Sequence, residues 1–431
     1  MREKSKQSKL NSEVLYDENG DRIFTLENKK DYTLLVPSMI PLHFRLIKNM
    51  LEKIGYKVQM LDERTSSIAE TGLKYVHNDT CYPATLVIGQ FIEVLQSNKY
   101  DNQKVALVIS QTGGGCRASN YLYLLKKALK KAGFGYVPVL SFNLSGLKTQ
   151  PGFKLKVADY LNLLKCVMYG DLLMLLKNQC EPYEVVEGET IKTVNFWIEV
   201  LNGEFANSKN LKYGHIKKNF ALIIDSFAKI ERNIVPKAKV GIVGEIFVKY
   251  SPLANNDLEK FLVKEGAEVY VPGLTDFVLY SAYNNVVDAK LYGEKKVVAF
   301  VSNILYKNIL KKQKDIIKLI EKQGSFNPPT SFDLTIKARE GYINEGMKMG
   351  EGWLLTSEMI ELIESGINNI ICAQPFGCLP NHIAGKGMMK IIKEKNPKAN
   401  IVAIDYDASA SRINQENRIK LMLSNARENL E

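Results

Sequence analysis

The sequence predicts an α/β protein with two parallel-sheet domains separated by a helical layer. Three observations carry that expectation. Short apolar strand patterns alternate with amphipathic helical patterns from Tyr32 to Ser141. The same alternation resumes at Lys239 and runs to Asp405. Between them, roughly residues 155–235 carry helical patterns and no clear strand. Strands alternating with helices specify βαβ units, hence a mostly parallel sheet.

In order, Tyr32–Pro37 (YTLLVP) reads as a buried strand and His43–Ile54 as an amphipathic helix closed by Gly55. Lys57–Leu61 is a strand, Pro83–Gln96 a helix and Lys104–Ser110 a strand. A helix over Ala118–Ala132 stops at Gly133, and Val137–Ser141 is the next strand. In the second half, Val240–Val243, Glu268–Val271, Asn369–Cys372 and Asn400–Asp405 read as strands. Helices are expected over Asn256–Glu265, Ser357–Glu364, Gly385–Lys395 and Asn414–Leu430. Residues 290–350 look largely helical, with a loop at Gly324–Ser331. The expected organisation is a polar tail over 1–30, α/β domains over 31–150 and 239–431, and a helical connecting region over 151–238.

Composition narrows the function classes. The 431 residues are 45% hydrophobic and 24% charged, as in soluble globular proteins. No run of 18 apolar residues suggests a membrane span. Met1–Glu13 is polar, Lys-rich and without the apolar stretch of a secretory signal, so a cytoplasmic location is expected. The net charge of +11 comes mostly from lysines spread over helical segments, such as Lys126, Lys127, Lys130 and Lys131. Without a recognised motif this does not specify nucleic acid; it fits solvated helix faces, with a smaller contribution to attracting an anionic substrate or acidic partner.

Six cysteines are present, and in a reducing compartment they are expected to be free thiols. Three occupy similar settings. Cys81 lies in NDTCYP just before a helix, Cys116 in QTGGGCR between a strand and a helix, and Cys378 in QPFGCLP after a strand. Such turns at strand carboxyl ends are where ligands bind in open α/β sheets. Thiolates there suit iron, and backbone N–H groups stabilise an anionic centre. Gly113, Gly114 and Gly115 let the backbone curl closely around such a body. Free cysteines are equally often packed as small hydrophobes, and position alone leaves both readings open. Cys166 and Cys180, in an apolar helical stretch, read as core. Cys372 is compatible with either role. The absence of paired cysteines argues against a structural zinc site.

Six motifs then resemble one family. They are Asn78–Gly89 (NDTCYPATLVIG), Gln111–Tyr121 (QTGGGCRASNY), Gly241–Lys249 (GIVGEIFVK), Gly350–Leu355 (GEGWLL), Gln374–His382 (QPFGCLPNH) and Ala403–Arg418. They resemble the 2-hydroxyacyl-CoA dehydratase and benzoyl-CoA reductase superfamily, and within it the acyl-CoA dehydratase activase-related branch. The resemblance implies Rossmann-like domains facing a cleft, with Cys81, Cys116 and Cys378 holding a 4Fe-4S cluster. It implies a separate dimeric activase, an iron–sulfur protein of actin-like ATPase fold, that injects a low-potential electron using ATP. The implied activity is that of an (R)-2-hydroxyacyl-CoA dehydratase-like lyase or an ATP-dependent reductase component acting on an acyl-CoA, in a homodimer or heterodimer. An alternative branch holds an 8Fe-9S double-cubane cluster, which wants six thiolates. A non-catalytic electron relay, or a chain that assists an activase, is a further alternative.

Other candidate site residues follow from these motifs. Glu245, Glu351 and His382 are candidates for proton transfer, although each could equally serve a structural role. Gly114, Gly115, Arg117 and Asn78 are candidates for contacting the cofactor, and His77 for supporting a ligand. Asp405 and Asp407 read as helix-capping residues.

Overall fold

The computed structural model describes residues 15–111, 115–142, 150–205, 207–293 and 295–428. Both sheets are four-stranded and wholly parallel, and each anchors a Rossmann-like domain.

In the first domain a short helix, α1 (Asn28–Asp31), leads into β1 (Thr33–Pro37). Then come α2 (Pro41–Lys53), β2 (Lys57–Leu61), α3 (Ser67–Tyr75), α4 (Tyr82–Gln96), β3 (Val105–Ser110), α5 (Tyr121–Lys131) and β4 (Val139–Phe142). The strand order is β2-β1-β3-β4. All but the last residue of β3 are buried, as expected of a strand covered on both faces. Pro41 opens α2 at a position where its missing N–H costs nothing, and Gly55 ends it with φ +98°.

The helical layer is α6 (Val157–Cys180), α7 (Glu189–Phe205) and α8 (Tyr213–Ala228). The second domain begins with β5 (Lys239–Gly244) and the short helices α9 (Ile246–Tyr250) and α10 (Pro252–Asn255). It continues through α11 (Leu258–Lys264), β6 (Glu268–Tyr270), α12 (Leu274–Tyr292), α13 (Lys296–Gln323), α14 (Phe332–Ala338) and α15 (Trp353–Glu364). It closes with β7 (Asn369–Pro375), α16 (Met389–Lys395), β8 (Asn400–Tyr406) and α17 (Arg412–Glu428). Its strand order, β6-β5-β7-β8, repeats that of the first sheet.

Two features differ from the expected organisation. The α12–α13 hairpin, inserted between β6 and β7, adds to the helical layer: Ile316 and Ile320 share a core with α6 and α8. The domains are also not separate bodies. Ile40, Ile68 and Leu86 of the first pack in one apolar cluster with Val240, Ile242 and Ile371 of the second. Among the described residues, no helix is long and apolar enough to cross a membrane.

The α3–α4 hairpin was only half visible in the sequence, because α3 (SIAETGLKY) is short and buries Ile68, Thr71 and Gly72 rather than a row of large apolar side chains. It is held by close backbone approach. A Cβ on Gly72 would fall 2.1 Å from the Thr85 carbonyl oxygen, and one on Gly89 would fall 2.0 Å from that of Ile68. This contact seats α4 and therefore the cysteine at its N-terminus.

Gly89→Ala is expected to destabilise the fold by about 1–3 kcal/mol through overpacking. Gly203→Ala, at an open position in α7, should be neutral or stabilise by up to about 1 kcal/mol. Urea unfolding of both variants checks the contrast, and equal effects would contradict it.

Candidate metal centre

In each sheet the order reverses direction between the first strand and its inner neighbour, β1 against β3 and β5 against β7. That switch point opens a crevice at the strand carboxyl ends. Cys116 follows β3, Glu245 follows β5 and Cys378 follows β7.

Cys81 is the N-cap of α4, where its carbonyl accepts the Ala84 and Thr85 N–H groups. Its sulfur, nearly fully buried, accepts a hydrogen bond from the Tyr121 hydroxyl at 3.2 Å. Cys116 opens a tight helical turn over Arg117–Asn120, and its sulfur accepts from the Ala118 N–H at 3.5 Å. Cys378 is buried, follows Gly377 (φ +74°), and accepts from Asn381 Nδ2 at 3.4 Å. Each of the three sulfurs thus has a hydrogen-bond donor, the arrangement that tunes metal-bound thiolates.

The loops meet across the domains. Arg117 donates to the Asp79 carbonyl at 2.6 Å, tying the Cys116 loop to the Cys81 loop. The Gly115 N–H reaches Met349 Sδ of the second domain at 3.0 Å. Gly350, at φ +58°, fits between the two sides: a Cβ there would sit 3.1 Å from Pro380 and 4.0 Å from the Cys116 sulfur. Burial, and then the Glu245 carboxylate, push the Cys81 thiol up to about 12, with Cys116 also in electrostatic reach. Burial and the charges of Glu351 and Glu245 raise the Cys378 thiol as well. Among the described residues, no three His, Cys, Asp or Glu side chains form a group tight enough for one metal ion. The three sulfurs share one rim of the crevice rather than a common contact.

Glu245 and Glu351 flank the start of α9. Glu245 accepts the Val248 N–H at 2.8 Å, and Glu351 accepts the Ile246 N–H at 2.9 Å. Both acids are buried, and burial raises both carboxyls, that of Glu245 further through the Glu351 charge. Glu245 is therefore a helix cap as well as a group facing the thiols. Gly244 makes this turn possible: a Cβ there would strike the Ala373 carbonyl oxygen at 1.8 Å.

Behind them lie residues that sequence reasoning missed. Lys249 Nζ contacts both Glu358 oxygens at 3.0 and 3.2 Å, with both side chains almost fully buried. Glu361 accepts from Thr335 Oγ1 at 2.6 Å, and burial raises its carboxyl from 4.5 to about 7. The signal was present in WLLTSEMIELIE, where Glu358 and Glu361 fall among the apolar residues of one helix. Tyr121 and Asn381, the donors to cysteine sulfur, carried no signal beyond proximity.

The remaining candidates divide. Arg117 and Gly115 take part in the loop contacts. Asn78 and His77 lie in an exposed turn. His382 is half-buried in the turn after Cys378, where its N–H donates to the Cys378 carbonyl. Gly114 lies outside the described residues. Cys372 sits apart from the other three, fully buried in the second-domain core, with its sulfur 3.1 Å from where a Gly385 Cβ would be. Cys166 and Cys180 are core thiols that donate to the Leu46 and Phe227 carbonyls. Asp405 bonds Gln374, and Asp407 accepts the Ser409 N–H within a turn.

Residues 39–102 match a family described as a CoA enzyme activase uncharacterised domain. The match spans α2 to α4 and includes Cys81. No curated protein matches the chain.

Two outcomes are expected. Lys249→Met leaves Glu358 buried and unpaired, which should cost about 3–5 kcal/mol, while adding Glu358→Met should recover most of that loss; chemical denaturation of the single and double variants measures this. For Glu361 the unfolded carboxyl ionises near 4.5 and the folded one only near 7. The native state holds the extra proton between those values. Its contribution is complete below about 4.5 and is lost as pH rises through about 7. Glu361→Gln should flatten that decline in unfolding measured from about pH 4 to pH 8.

Proposed function

We propose that this chain is an iron–sulfur protein that works with a separate ATP-dependent activase to reduce an acyl-CoA thioester. The observation that carries the reading is the gathering of Cys81, Cys116 and Cys378 on one crevice rim, each sulfur accepting a hydrogen bond. The match to a CoA enzyme activase domain supports the connection to coenzyme A chemistry.

The donor set fits a 4Fe-4S cluster. A cubane spreads its thiolates around a body of several atoms, so its ligands stand farther apart than those of a single ion. Cys166 and Cys180, engaged in core hydrogen bonds, do not favour the six-thiolate double cubane. When bound, such a cluster supplies one-electron transfer at low potential and an iron open to substrate.

The protein's own groups have definable parts in this reading. Tyr121, Ala118 and Asn381 hold hydrogen bonds on the sulfurs and draw off part of their charge. Burial raises the Glu245 and Glu351 carboxyls, that of Glu245 to about 8, which favours their neutral forms beside the thiolates. Glu245 also offers a proton at its carboxyl for a product that gains negative charge. The raised thiols mean that metal must displace their protons, so loading favours higher pH.

Protein purified without oxygen is expected to hold about four irons and four sulfides per chain. Cys81→Ala, Cys116→Ala and Cys378→Ala should each lose most of the iron, while Cys166→Ala and Cys180→Ala keep it. Full iron in all three of the first group would overturn the assignment. With iron in place, the activase and a panel of acyl-CoA thioesters test the reaction itself.

A further inference from the structure

We propose a second binding site, for a multiply charged phosphate chain, at the edge of the first domain opposite the cysteines. A cavity of about 540 Å³ lies there, lined by Lys29, Lys53, Lys154, Lys156, Lys165 and Lys212. Among the described residues, Asp159 is the one carboxylate in its lining. It is already engaged, because its oxygen accepts the Lys156 N–H at 2.7 Å.

Position separates this cavity from the crevice. It is bounded by the C-terminal end of α2, at Met50, Lys53 and Ile54. Helix α2 leaves the carboxyl end of β1 and returns to the amino end of β2. The five-residue strands span about 17 Å, so cysteines and lysines occupy opposite edges of the sheet.

Two long helices begin at the cavity. Lys156 is the N-cap of α6 and Lys212 the N-cap of α8. The lysine N-cap of α8 gives its first turn no side-chain acceptor. Helix N-termini attract anions through free N–H groups and the helix dipole. Here that attraction adds to the charge of six ammonium groups, of which Lys29 and Lys165 also donate to protein oxygens at the cavity wall. Lys312 of α13, over the Tyr213 ring at 5.3 Å, brings a further cation to the rim.

The lysines also oppose one another. Burial lowers Lys165 first, and the charges of Lys312 and Lys53 lower it further. A solvated lysine face needs neither a concave lining nor such crowding. A polyanion would relieve the repulsion and accept several charged hydrogen bonds at once. Phosphate chains match this best: they are compact, carry several charges and accept donors from all sides. Free pyrophosphate, a nucleotide and coenzyme A share that chemistry.

Calorimetric titration of the full chain with pyrophosphate, ATP and coenzyme A, at fixed salt, tests the site and separates the sources. Pyrophosphate binding would show that the phosphate chain suffices; binding of ATP or coenzyme A alone would show that the attached nucleoside portion is needed. Lys53→Ala and Lys212→Ala should each weaken binding about tenfold, the loss expected for a charged hydrogen bond. Lys393→Ala and Lys398→Ala, on the surface of the other domain, should leave it unchanged. Binding by none of the three probes, or equal weakening in all four variants, would overturn the proposal. Iron content should be unaffected by the lysine changes, so this result stands independently of the cysteine assignment.

Discussion

The cost of holding charge away from water governs the junction between the two sheets. Lys249 is the buried cation there, and Glu358 is its partner. Glu245, Glu351 and Glu361 lie buried around the same ammonium, which lowers each of them, while burial raises them more. One cation cannot ionise four acids in a poorly solvated space. The region therefore retains protons that free carboxyls would have lost. Those protons sit next to thiols that also keep theirs.

Backbone geometry brings these groups together. Parallel strands deliver all their following turns to one edge, so chemistry collects there without any local motif. Bringing the turns close then requires positions without side chains. Gly72 and Gly89 seat α4, Gly244 lets β5 run against Ala373, and Gly350 passes between Cys116 and Pro380. The cysteines thus owe their placement to glycines that let neighbouring backbones approach, and the apolar cluster shared by the two domains holds the loops in register.

Much of this was legible in advance. The eight strands announced themselves because buried parallel strands are continuous apolar runs. The alternation with helices gave the architecture, and the turns flanking Cys81, Cys116 and Cys378 marked the crevice. Elements defined by tertiary contact were harder to read. Helix α3 is short and packs through small residues, Thr71 and Gly72, and α12 packs on several sides, which blurs its periodicity. The Lys249–Glu358 pair joins distant segments, so the sequence shows Glu358 within an apolar run but not the cation that meets it. The lysine cavity was hidden for the same reason. Lys29, Lys53, Lys154 and Lys212 were indistinguishable from solvated helix lysines until the fold drew them around one space.

The protonated state of the cysteines has a chemical consequence. Disulfide exchange and oxidation proceed through the thiolate. Burial raises Cys81 to about 12 and raises Cys378 in the same direction, so neither readily forms that anion at neutral pH. The buried thiols of Cys81 and Cys378 are therefore slow to alkylate, slow to form a stray disulfide and tolerant of peroxide. On the proposed iron–sulfur reading, sensitivity to oxygen would begin with the bound cluster, while Cys81 and Cys378 of the metal-free chain stay intact as thiols.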